Sequence, residues 1–168
     1  MPKHINEEEV VVKKEVNLDE KVVVRSIAPW LTGVARIESN GDISIPPLGT
    51  ARLTRNEIIS QVNNGNTLFT GTDGRGSHAT WYIEDEYTRR EVEFESTDGS
   101  TKQQILTKES VKDLFDEKTM NSFKKRLENE VITRAEKFAI VEAIQDKSLK
   151  INDYERIMLA KEMLDLKL

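Results

Sequence analysis

No cysteine occurs in this chain, which removes disulfides, thiolate metal ligands and a thiol nucleophile together. Histidine is nearly as scarce, with His4 and His78 the two present. A single histidine outside the N-terminal stretch, without cysteine, does not make the usual zinc site. No apolar run approaches the roughly 20 residues that a membrane helix needs. The opening Glu7-Glu8-Glu9 is unlike the basic start of a secretory signal. These absences predict a protein with no metal, no cofactor and no membrane span, made in a reducing cytoplasm.

What is present is charge. Of 168 residues, 33% are charged and 37% hydrophobic, with a net charge of -5. That length holds one ordinary core or two small ones. The charge is uneven: residues 1–100 carry 11 Lys and Arg against 17 Asp and Glu, whereas 101–168 carry 14 against 13. An acidic front half disfavours general binding to nucleic acid or anionic lipid, both of which reward surplus positive charge.

Residues 1–20 read as an extended arm. Its acidic triplet runs into Val10-Val11-Val12 and then Lys13-Lys14. A β-branched triplet beside charges suits an edge strand, and it equally suits an arm that orders against a neighbour.

Residues 21–97 read as a β-rich domain. Val22-Val23-Val24 predicts a buried strand. Val34–Glu38 and Asp42–Ile45 alternate around Ser39-Asn40-Gly41, and Asn-Gly predicts a type I′ hairpin turn. Pro46-Pro47 cannot donate ladder hydrogen bonds, so the strand ends there, and Ala51-Arg52-Leu53 resumes one. Thr54-x-x-Glu57 is the pattern of a capping box, opening one inserted helix over Ile58, Ile59 and Val62 that stops at Asn63-Asn64-Gly65. Thr67–Thr70 and Ala79–Ile83 predict strands flanking a glycine-rich loop, and Glu91-Val92-Glu93-Phe94-Glu95 alternates as a strand does.

Residues 98–106 read as a linker and 107–168 as a helical unit of three to four helices. Val111, Leu114 and Phe115 form one apolar stripe, which Phe123 and Leu127 continue after a break near Asp116. Thr133-x-x-Glu136 predicts a second capping box before Phe138, Val141 and Ile144. Asn152-x-x-Glu155 predicts a third before Ile157, Met158 and Leu164. The class is therefore α+β: a small antiparallel barrel or sandwich with one inserted helix, then helices.

Groups able to do chemistry are thinly spread. The loop Gly71-Thr72-Asp73-Gly74-Arg75-Gly76-Ser77-His78 is the best candidate, because glycines free amides to meet an anion and Arg75 and His78 add positive charge. It lacks a Walker lysine and the Rossmann spacing, so a plain inter-strand loop is the stronger reading. If it binds anything, a partner surface or a neighbouring copy fits better than a nucleotide. A triad of Ser77, His78 and Asp85 fails because adjacent residues on an extended backbone point apart. The carboxylates at 84–86 and 91–95 read as solvated charge that also guards a sheet edge. Trp30 follows a proline at a strand exit and Trp81 sits on a strand; such aromatics plug cores or anchor interfaces. A helix-turn-helix reading of the last two helices fails. Residues 146–151 are too long a turn, and Asn152-Asp153-Tyr154-Glu155 would put carboxylates against phosphate.

The strand Val22–Arg25, the corner Ile43-Ser44-Ile45-Pro46-Pro47-Leu48-Gly49-Thr50-Ala51-Arg52-Leu53 and the following Glu57-Ile58-Ile59 resemble small virion-associated proteins of tailed bacteriophages. The resemblance covers about residues 20–95. It implies a multi-copy, non-enzymatic accessory part of head, neck or tail, assembled in the host cytoplasm and docked on other virion proteins. Val10, Val11, Val12, Trp30, Arg75, His78 and Trp81 are the candidate docking residues. Two other functions stand beside this one: a regulatory or nucleic-acid-binding module using the C-terminal helices, and a small-ligand binder or enzyme at Gly71–His78.

Overall fold

The first strand, Lys21–Ser26 (β1), is the spine of the N-terminal half. In the computed structural model, which describes residues 15–103 and 105–168, it lies between two antiparallel partners, Thr50–Thr54 (β4) and Trp81–Ile83 (β5). Val22 pairs with Leu53, and Val24 pairs with both Ala51 and Ile83. Val22 and Val24 face the core while Lys21 and Arg25 face water, the period-2 pattern of a strand buried on one side. Thr32–Ala35 (β2) and Asp42–Ile45 (β3) form a separate two-stranded ladder. Ile43 and Ile45 of that ladder share one core with Val24, Leu53, Phe69 and Trp81. The expected arm residues Val10, Val11 and Val12 lie outside the described residues.

Two sheets share that core, but they do not close into a barrel, and two helices are inserted instead of one, Arg55–Asn63 (α1) and Thr67–Thr70 (α2), with Glu86–Glu91 (α3) following the last strand. Thr67–Thr70 has strand-forming composition yet turns helical. Asn66 takes the Leu68 amide on its side chain, Gly71 ends the turn at φ 69, and Phe69 drops fully into the core. Glu91–Glu95 is no strand either. Asp85 caps α3, the Val92 and Phe94 amides bond back to Thr88 and Arg89, and Glu93 adopts φ 65. Phe94 is nonetheless buried as its alternation required.

The β2–β3 connection is longer than a two-residue turn. Ala35 pairs with Asp42 and the Arg36 amide bonds to the Gly41 carbonyl at 2.9 Å, leaving Ile37–Asn40 outside the ladder. A side chain explains this. Thr54 accepts from the Glu57 amide as a cap should, but the buried Glu57 carboxylate turns to the amides of Ile37 (3.0 Å) and Glu38 (3.3 Å). One carboxylate thus holds the hairpin loop against α1.

The C-terminal half is helical: Lys108–Phe115 (α4), Met120–Glu130 (α5), Arg134–Gln145 (α6), a 3-10 turn Lys147–Leu149, and Tyr154–Leu164 (α7). Val111, Leu114, Phe123, Leu127 and Ile140 are fully buried in a core of its own. The break near Asp116 is present, because α4 ends at Phe115 and Thr119 caps α5. Thr133 and Glu136 make the full reciprocal box. The third box is displaced by one residue: Asp153, not Asn152, caps α7 through the Arg156 amide. Phe138 and Met158 stay at the surface, because Ala135, Ile140 and Ala143 supply the inward side of α6 and Ala160 and Leu164 that of α7.

Two predictions follow from these carboxylates. Glu57→Ala leaves two amides without their acceptor and is expected to cost about 2–3 kcal/mol in chemical denaturation; a loss below about 0.5 kcal/mol would remove Glu57 as the hairpin anchor. Asp85 is bonded by the Arg55 guanidinium (Nε–Oδ2 2.9 Å, Nη2–Oδ1 3.2 Å), which together with the Thr88 hydroxyl and amide holds its carboxyl below the usual aspartate range although burial opposes this. Folding therefore depresses this pKa, so the stability it contributes is present above about pH 4 and lost as pH falls through the folded value. Arg55→Met should flatten that acid-side slope in denaturation midpoints; an unaltered slope refutes the assignment.

Candidate functional site

The glycine-rich loop is closed by its own backbone. Gly71 at φ 69 lets the chain double back, since a Cβ there would sit 2.0 Å from the Ser77 carbonyl oxygen. The Thr72 amide bonds to Ser77 and the Gly76 amide to Thr70. Asp73 accepts from the amides of Arg75 (2.7 Å) and Ser77 (3.2 Å), and these bonds hold its carboxyl below the usual range against the opposing effect of burial. Amides that would have cradled an anion already hold an anion of the chain itself. Arg75 is exposed at the rim. Gly76 packs against the Phe94 ring, and its carbonyl accepts from Gln103 Nε2 at 3.0 Å.

His78, at φ 59, directs its ring at the helical unit. Its Nδ1 lies 2.7 Å from Oε2 and 2.9 Å from Oε1 of Glu136, which is 2% exposed. Glu136 Oε1 also accepts the amides of Ile132 (3.1 Å) and Thr133 (3.0 Å). The carboxylate that caps α6 therefore fastens that helix to the loop. Asp85 belongs to Arg55 and Thr88, so Ser77, His78 and Asp85 are not brought together.

Trp30 meets the same helix at Arg134 and Phe138, two residues to either side of Glu136. Its ring stands edge-on to Phe138 (5.7 Å, 77°), and the Arg134 guanidinium covers both rings at 5.1 and 5.7 Å. Ile27, Ala28 and Ala135 are buried beside them. Trp81 is fully buried against Phe69 (5.2 Å), and its Nε1 donates to Thr32 Oγ1 at 2.7 Å, so it is a core plug with no surface to offer a partner. Of the docking residues read from sequence, Trp30 and His78 sit on the seam between the halves, Arg75 lines a separate hollow with Arg90, Glu93 and Lys102, and Val10–Val12 fall outside the described residues.

A cleft of about 370 Å³ opens along this seam, lined by His78, Gln103, Leu106, Arg126, Glu130 and Glu136. Arg126 is tied to Asp113, Glu117 and Glu130, and Glu136 to His78, so the cleft's charged groups are engaged with one another. Gln103 Oε1 is the buried side-chain atom left without a partner among the described residues. Among those residues no cluster of three or more His, Asp or Glu could hold a metal ion, and no helix is long and apolar enough to cross a membrane.

A second surface escaped the sequence reading. Successive α-helical residues turn by about 100°, so Arg134, Lys137, Phe138 and Val141 form a stripe distinct from the inward Glu136, Ile140 and Ala143. Treating Phe138 as core merged the two, whereas Val141 is half-buried against the helical core and edges the stripe. Between this outer stripe and the end of α7 runs a groove of about 310 Å³, floored by Val141, Leu164 and Leu166. The chain turns back at Asp165 (φ 52) and the Leu166 amide bonds to Lys161, which sets Leu166 into that floor. Comparison of the chain with protein-family models, curated proteins and solved structures finds no match.

The seam's polar and aromatic contacts should make the halves unfold together. Removing both in His78→Ala with Phe138→Ala is expected to split one thermal transition into two. A single, merely shifted transition would show that other contacts couple them.

Proposed function

We propose that this chain is a structural assembly protein that works through protein–protein contacts, a multi-copy accessory component of a tailed-phage virion. One observation carries the reading. Asp73 and His78 of the glycine-rich loop and the charged groups of the seam cleft are engaged in holding the fold, whereas an aromatic, cation-rimmed apolar surface on α6 and α7 is left open. Aromatic and arginine side chains over apolar ground are the composition of interface anchors. In this reading β4–β1–β5 and β2–β3 face each other as a minimal sandwich, the helical unit presents the docking surface, and the protein resides in the particle after assembly in the host cytoplasm.

The reading is tested on particles. Expressed in its own phage background, the chain should band with purified virions in a density gradient and survive a high-salt wash. Recovery confined to the particle-free fraction would end it.

A further inference from the structure

The groove between α6 and the end of α7 has a chemistry that selects its occupant. Its floor is apolar, with Phe138 still 39% exposed at the wall. Its rim carries Arg134, Lys137 and Lys167, with Lys161 beside Leu166 in the adjoining hollow. None of these four cations has an ion pair among the described residues, in a chain whose net charge is -5. Such a groove fits a segment with carboxylates at one end and small apolar side chains behind them. The sequence holds one: Glu7-Glu8-Glu9-Val10-Val11-Val12, followed by Lys13-Lys14, which suit the groove's Asp165 and the neighbouring Glu162.

We infer that residues 7–12 of one copy dock in the α6–α7 groove of a neighbouring copy, glutamates to the cationic rim and valines to the Phe138–Leu166 floor. This inference deepens the assembly reading and rests on it. Reach assigns the arm to a neighbour. Asn17 is tied beside the start of β1, where its carbonyl accepts from Arg55 at 3.0 Å. The groove's Trp30 end lies past Ser26, at the opposite end of β1, and that strand alone spans about 17 Å. From Val12 to Asn17 the chain covers at most about 17 Å when fully extended. The segment docks as a unit only if Val12 reaches the floor beyond that end, so a copy's own arm falls short of it. A neighbour's arm is free of that limit, and each copy then offers one arm and one groove, the arrangement that makes rings or filaments.

The test uses the full chain and two charge reversals: E7K/E8K/E9K in the arm and K137E/K167E in the groove, whose two lysines hold no described ion pair. Sedimentation from about 1 μM to about 1 mM should show wild-type self-association that weakens with added salt. Each variant alone should associate at least about tenfold more weakly, two or three reversed pairs being worth that much at a half-exposed site. An equimolar mixture should recover a 1:1 complex, because each variant keeps the element that the other lost. A wild type that stays monomeric overturns the inference, as does an arm variant that associates unchanged or a mixture that fails to recover. A monomer whose hydrodynamic radius grows on arm reversal places the arm on its own groove and overturns it too. In each of these cases a chain that still bands with virions leaves the assembly reading standing, whereas loss from the particle removes that reading.

Discussion

One buried carboxylate joins the two halves of this molecule. Glu136 accepts the amides of Ile132 and Thr133 at the start of α6, and the same group holds the His78 ring. A carboxylate buried to that degree persists only when its lone pairs are filled. The capping box fills them from the helix's own end and His78 from the other domain, so neither half supplies the full set. The Trp30–Arg134–Phe138 stack flanks Glu136 along α6 and adds apolar cover to the same seam. The seam, in turn, fixes which side of α6 faces outward.

Glu57 repeats the device on a smaller scale. It too occupies the third position of a cap pattern, yet it serves amides 19 and 20 residues away and leaves the reciprocal bond unmade. Both glutamates show that a helix-start pattern fixes where a carboxylate stands without fixing which donors it takes. Donors that lack a ladder partner compete for it, and the loop after β2 has them to offer.

Much of the fold was legible because its signals are local. Thr54, Thr133 and the break near Asp116 mark helix ends through side chains three residues away, and Pro46-Pro47 ends β3 by lacking amides. The misreadings also have local causes. Asn66 and Gly71 bracket Thr67–Thr70 tightly enough to override its strand propensity. Glu93, at positive φ, breaks an alternation that looked regular. At α7 two capping side chains stand next to each other and the aspartate prevails. The seam was illegible because His78 and Glu136 are 58 residues apart and neither is unusual alone. The α6–α7 groove was hidden in the phase of one helix, where two apolar stripes overlap.

The order of β4, β1 and β5 carries a consequence for synthesis. The central strand is made first, and its ladder partners arrive late: Val24 waits for Ala51 on one side and for Ile83 on the other. At the ribosome's pace of about 5–20 residues per second, the second edge of Val24 stays open for roughly 3–12 s. During translation the β-branched stretch Val22–Val24 offers an edge for stray pairing with other nascent chains, and the exposed Lys21 and Arg25 that flank it are charges of the kind that oppose such pairing.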